Sequence, residues 1–93
     1  MSESKAQQSG AMPEVTFSTF ILSLASSALV NLGEVPDPAN GQKVENQTLA
    51  RHSIDVLNML HDKTKGNLDE QEKQMFESVL YELRMKYVVK YGS

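Results

Sequence analysis

The sequence predicts an all-α protein of three helices, in which helix one packs against an αα-hairpin of helices two and three and oligomerisation completes the core. Apolar residues recur at helical spacing in three segments, glycines and prolines separate those segments, and no segment shows strand-like alternation. A chain of 93 residues buries only about 60% of the surface that its unfolded form exposes. Self-association is a common way for so short a chain to gain stability.

Composition excludes several classes of function. The chain has no cysteine, which excludes disulfides, thiolate nucleophiles and cysteine-ligated zinc. Its formal charge is -3 and its lysines and arginines are scattered singly, so nucleic acid is not an expected partner. Residues 1–14, MSESKAQQSGAMPE, lack the basic and apolar regions of a secretory signal and predict a disordered N-terminal arm. We therefore expect a cytoplasmic protein with a single helical domain over residues 15–90.

Helix one is predicted over residues 16–32. Apolar residues recur there at helical spacing, Thr16 has the side chain of an N-cap, and Gly33 stands where a left-handed residue ends a helix. Its larger apolar residues cover an arc of roughly 180°, wider than the stripe of about 100° on an ordinary surface helix. More than one neighbouring element is therefore needed to cover helix one.

A loop and a second helix follow. The loop is predicted over residues 33–45, because its two prolines cannot continue a helix and Asn40-Gly41 favours a turn. Helix two is predicted over residues 46–65, and Gly66 ends it. Its predicted core stripe consists of residues that share one face at about 100° per residue: Leu49, Ala50, Ser53, Val56, Leu57, Leu60 and Thr64.

Helix three is predicted over residues 70–90. Asp69 can act as its N-cap and Glu72 as the capping-box partner, and basic residues collect near its C-terminal end, where the helix dipole favours positive charge. The short connection before it makes helices two and three an αα-hairpin. Its predicted core stripe is Met75, Phe76, Val79, Leu80, Leu83 and Tyr87.

The segment between Glu14 and Glu34 contains no charged residue, which leaves three interpretations of helix one. Its length passes the usual test for a membrane-spanning helix. Its serine, threonine and asparagine residues and its acidic flanks disfavour that role. The other interpretations are a buried first helix with a mildly polar face, and a central helix shared between subunits, whose short side chains let a second helix approach closely.

A second candidate contact surface lies on helix three. Tyr81, Met85 and Val88 follow one another at i, i+4 and i+7 on the face opposite the core stripe, with Val89 beside them. An aligned apolar row on a charged helix indicates an interface, although helix one or the loop covering that face is an alternative. The candidate interface therefore combines residues of helices one and three: Phe17, Phe20, Ile21, Leu24, Ser27, Ala28, Tyr81, Met85 and Val88.

The residue types that carry catalysis do not form a recognisable site. His52 and His61 are nine positions apart on helix two, which turns them roughly 180° from each other, so they cannot bind one metal together. Each has a local charged neighbour and is interpreted as a solvated histidine on the helix flank. The carboxylates of helix three are interpreted as charged surface, and no nucleophile elbow or glycine-rich phosphate loop is present in the sequence. The sequence predicts no catalytic residue, metal or cofactor.

Three parts of the chain resemble a known family: FSTFILSLASSALVNLGEVPDP, IDVLNML followed by DKTKGNLDEQE, and YELRMKYV. In this order they are similar to the bacterial domain-of-unknown-function family numbered eighteen forty-four, over residues 15–89. The resemblance implies a small helical bacterial protein with no assigned activity, and it transfers no catalytic residue. Asp69 stands where threonine is common in the family, and both residue types are good N-caps.

The predicted function is that of a non-enzymatic, homo-oligomeric interaction module, with an unidentified protein as a further candidate partner. One alternative is a peripheral or single-helix membrane component that uses helix one. A second alternative is a ligand carrier or enzyme whose site forms between subunits.

Overall fold

The structure, a computed structural model, describes residues 14–92 of the chain. It contains three α-helices, α1 (Phe17–Asn31), α2 (Gln47–Lys63) and α3 (Glu70–Tyr91), and no strand within the described residues. The prediction of an all-α, three-helix protein is confirmed. The predicted disordered arm lies outside the described residues except for Glu14.

Side-chain capping fixes the N-terminal ends of α1 and α3. Thr16 Oγ1 accepts a hydrogen bond from the Thr19 amide at 3.0 Å, and the Thr16 amide donates to Thr19 Oγ1 at 3.1 Å. Asp69 and Glu72 form the same reciprocal pair, with distances of 2.8 and 3.0 Å. Each capping box satisfies two backbone amides that the first turn of a helix would otherwise leave unpaired. Both N-caps lie where the sequence predicts them.

The ends of α2 differ slightly from the prediction. The helix begins at Gln47, because Asn46 has extended backbone and its side chain caps the Leu49 amide at 3.0 Å. It ends at Lys63, where the Thr64 hydroxyl donates to the Leu60 carbonyl at 2.8 Å. Gly66 follows with a φ of 84°, which lets the chain turn toward α3.

All three helices contribute to one hydrophobic core, and each helix contacts the other two. Phe76 of α3 is fully buried, and the centre of its ring lies 5.7 Å from that of Phe17. The ring of His61 lies 5.3 Å from that of Phe76, and these two rings meet edge to face. Phe76 therefore joins all three helices. The buried core residues are Ile21, Ala25, Ala28, Leu32, Ala50, Ile54, Leu57, Phe76, Leu80 and Leu83.

The predicted core stripe of α2 is partly wrong. Leu49 is 48% exposed, whereas Ile54, which the predicted stripe omits, is buried. The residues that face the core, Ala50, Ile54 and Leu57, are centred roughly 70° around the helix from the predicted stripe, at 100° per residue. On α3, by contrast, the buried residues Phe76, Leu80 and Leu83 all belong to the predicted stripe.

We predict that Leu57→Ala lowers the free energy of unfolding by about 2–5 kcal/mol, because it leaves a cavity at a fully buried site. Leu49→Ala is the matched control: it makes the same change on the same helix at an exposed side chain, and should cost about 0.5 kcal/mol or less. Urea unfolding followed by circular dichroism measures both. Equal losses of unfolding free energy in the two variants would contradict the rotation of α2 described above.

Candidate interaction surfaces

Helix α1 has one face in the core and one face toward solvent, and neither face carries a charge. Ile21 and Ala28, two members of the predicted interface, are fully buried inside the subunit and offer no surface to a partner. Their spacing of seven residues places both on one side of the helix, and in the structure that side faces the core. Only those predicted interface residues of α1 that are accessible to solvent can therefore contact a partner.

The outer face of α1, defined here as Phe20, Ser23, Ser26, Ser27 and Val30, combines small hydroxyl residues with two larger apolar ones. Phe20 is 49% exposed and Ser27 is exposed, and both belong to the predicted interface. The remaining two predicted members on α1, Phe17 and Leu24, are half-buried and pack against the core from its edge.

A groove lies beside the C-terminal half of α1, between this helix and the loop that leads to α2. Its volume is about 530 Å³, and its lining includes Ser27 and Val30 from α1 and Val35, Pro36 and Pro38 from the loop. We call it the α1 groove. Sequence reasoning missed it, because the groove exists only when the loop folds back along the helix.

Contacts with the C-terminal turn of α3 hold the α1–α2 loop in place. Tyr91 Oη donates to Glu45 Oε2 at 2.5 Å, and Lys90 Nζ lies 3.6 Å from Glu45 Oε1. Lys86 Nζ lies 3.4 Å from Glu34 Oε1 at the other end of the loop. Exposed ion pairs contribute little singly, but this set fixes both ends of one loop to one helix. The wall of the α1 groove therefore depends on the last turn of α3.

The hydrogen bond between Tyr91 and Glu45 shifts the titration of both groups. Donation from Tyr91 lowers the pKa of Glu45 and outweighs the opposing effect of partial desolvation, and the positive charge of Lys90 lowers it further. Partial desolvation raises the pKa of Tyr91 to about 12, and its hydrogen bond to Glu45 adds to the rise. At neutral pH the pair therefore consists of a neutral phenol that donates to a carboxylate.

The apolar row of α3, defined as Tyr81, Met85 and Val88, is exposed in the described part of the chain, and Tyr81 is 67% exposed. Neither α1 nor the loop covers it. Three exposed, uncharged residues continue the row toward the N-terminal end of α3 with alternating spacings of three and four: Gln71, Gln74 and Ser78. This spacing is typical of a helical seam that contacts another helix. Sequence reasoning found the apolar half of the seam and missed the polar half.

The family of the chain follows from comparison with known proteins. Residues 14–89 match the family described as Domain of unknown function (DUF1844). The chain belongs to this family. The DUF1844 region includes α1, α2 and all but the last two residues of α3, and it contains both candidate surfaces. Comparisons with curated proteins and with solved structures found no match.

The turn between α2 and α3 of this DUF1844 protein forms a second depression, of about 490 Å³, near His61, Lys65, Lys73 and Glu77. His61 is half-buried, and its Nε2 lies 3.4 Å from Glu77 Oε2 of α3. Its partner is therefore across the hairpin, and not a neighbour on α2 as the sequence predicts. His52 is exposed.

Residues 14–92 contain no candidate metal site and no candidate membrane-spanning helix. This part of the chain has no group of three or more histidine, aspartate or glutamate side chains that could hold a metal ion. None of its helices is both long enough and apolar enough to cross a membrane.

We predict that Tyr91→Phe raises the pKa of Glu45, because the variant removes the hydroxyl that donates to the carboxylate. A lowered folded-state pKa means that ionised Glu45 stabilises the fold above its unfolded-state pKa, and that this stabilisation is lost as pH falls through the folded-state pKa. The stabilisation should be smaller in Tyr91→Phe. Titration of the Glu45 carboxyl carbon by NMR measures the shift.

Tyr81→Phe is the control for this titration, because it removes a phenol hydroxyl from an exposed site on the same helix. It should leave the pKa of Glu45 unchanged. The same Glu45 titration in Tyr91→Phe as in the unmodified protein would contradict the hydrogen bond.

Proposed function

We propose that this DUF1844 protein is a non-enzymatic, self-associating helical module whose subunits contact one another through the outer face of α1 and the apolar row of α3. The observation that supports it most strongly is the exposed row itself. Tyr81, Met85 and Val88 face solvent together on a helix whose other exposed positions are largely charged. Contiguous exposed apolar residues mark interaction sites more often than free surface.

The outer face of α1 supports the same proposal independently. A helix at the surface of a soluble domain ordinarily carries charged side chains on the side that faces water. The 15 residues of α1 include none, and Phe20 on its outer face is about half exposed. Burial of this face against another subunit would remove apolar area from water without desolvating a charge.

The two surfaces lie on the sides of α1 and α3 that point away from the shared core, so they face different directions. A subunit with two separate contact surfaces can form assemblies larger than a dimer. The proposal therefore includes two contacts that can be weakened one at a time. A bacterial, cytoplasmic setting and a further protein partner stay predictions from the sequence.

The proposal predicts that Met85→Glu lowers the mass of the assembly, because it places a charge in the middle of the apolar row. Met59→Glu is the matched control, since it makes the same change at a methionine of α2 that is exposed to a similar degree, 47% against 46%, and lies outside both proposed contacts. Light scattering coupled to size exclusion measures the mass of each variant, and circular dichroism verifies that both remain helical.

The proposal requires a lower mass for Met85→Glu than for Met59→Glu. Equal masses for the two variants would show that the row is not a subunit contact. A monomeric unmodified protein that sediments with liposomes would overturn the proposal in favour of the membrane-surface alternative.

A further inference from the structure

The outer face of α1 has a protrusion at one end and a depression at the other. Phe20, in the N-terminal half, projects its ring with 49% of the residue exposed. The α1 groove lies at the C-terminal half, where Val30, Val35 and Pro36 supply apolar lining beside the polar Ser27 and Asp37. The groove volume of about 530 Å³ exceeds that of one aromatic side chain. One chain therefore carries both halves of a complementary contact.

The spacing along α1 places these two features in register for a two-fold contact. Phe20, Ser23, Ser27 and Val30 follow one another at intervals of three, four and three residues and lie within one sector of the helix. Position 25 is the midpoint between Phe20 and Val30. It is also the midpoint between Ser23 and Ser27. An antiparallel copy related by a two-fold axis at that level therefore sets Phe20 against Val30 and Ser23 against Ser27.

The chemistry of the face suits close contact with an identical helix. Ser23 and Ser27 are small, so they let two helix backbones approach where the axis passes. The Ser23 hydroxyl already donates to the Phe20 carbonyl at 2.9 Å, so its burial does not leave an unpaired donor. Because α1 carries no charge, the two-fold axis brings no like charges together, and the antiparallel arrangement aligns the helix dipoles favourably.

We infer that two copies of this chain pair α1 against α1 in antiparallel orientation, about a two-fold axis near position 25, with Phe20 of each subunit inserted into the α1 groove of the other. This inference rests on the proposed function and adds the geometry of one of its two contacts. It makes the α1–α2 loop, and the last turn of α3 that holds it, part of the binding site for the partner's phenylalanine ring.

Introduced cysteines test the orientation directly, because the native chain has none. Ser23→Cys and Ser27→Cys are prepared as two separate proteins, one of them with a mass tag, then refolded together and oxidised. The antiparallel pairing sets position 23 against position 27, within reach of a disulfide. The mixture should therefore give the tagged–untagged dimer in excess over the dimer that either variant forms alone.

Phe20→Asp and Leu22→Asp form a matched pair for the insertion. The two residues are 49% and 47% exposed on the same helix, but they point about 160° apart, at 100° per residue. In the cysteine background, Phe20→Asp should abolish the cross-link between positions 23 and 27, whereas Leu22→Asp should preserve it. Circular dichroism confirms that both variants are folded.

The outcomes separate this inference from the proposed function. The protein could prove oligomeric but form disulfides only between identical positions, 23 to 23 or 27 to 27, or form none. Either result would overturn the antiparallel α1 contact and leave self-association intact. Equal cross-linking in Phe20→Asp and Leu22→Asp would overturn the insertion of Phe20. A monomeric unmodified protein would overturn both proposals.

Discussion

The rest of the structure depends on one constraint, which is that α1 carries no charged residue and yet lies at the surface of a small domain. Its inner side packs in the core, where Ile21, Ala25 and Ala28 are buried against α2 and α3. Three helices in mutual contact bury only one side of each helix. The outer side of α1 therefore retains Phe20 in contact with water, and a second copy of the chain is the proposed cover.

The C-terminal turn of α3 connects this surface to the other end of the chain. Tyr91 and Lys90 hold Glu45, and Lys86 holds Glu34, so the loop that lines the α1 groove is fixed by residues distant from it in sequence. The pKa of Glu45 is lowered by these contacts, which means that acidification weakens them by protonating the carboxylate. Protonation of Glu45 therefore weakens one of the two attachments of the loop whose other end lines the α1 groove.

The helices and their ends could be predicted from the sequence because their causes are local. Thr16 and Asp69 cap the first turn that follows each of them, and Gly33 adopts the left-handed conformation that its position after α1 predicts. The rotation of α2 could not be predicted in the same way. Leu49 and Ile54 are similar in hydrophobicity, and only the positions of α1 and α3 decide which of them is buried.

The candidate surfaces show the same division between local and tertiary causes. The apolar row of α3 follows from helical spacing alone, since Tyr81, Met85 and Val88 lie opposite the core stripe. The sequence-based prediction places the buried Ile21 and Ala28 in the interface, because a sequence does not show which part of a wide apolar arc the subunit itself covers. The α1 groove and the contact between His61 and Glu77 depend on tertiary packing.

The most direct test of this account is the absolute mass of the unmodified chain in detergent-free buffer, measured by light scattering after size exclusion over a dilution series. The account predicts a discrete multiple of the single-chain mass, because the uncharged outer face of α1 is covered by another subunit. The mass of a single chain at every concentration would contradict it, since both exposed surfaces would then be stable in water without a second copy.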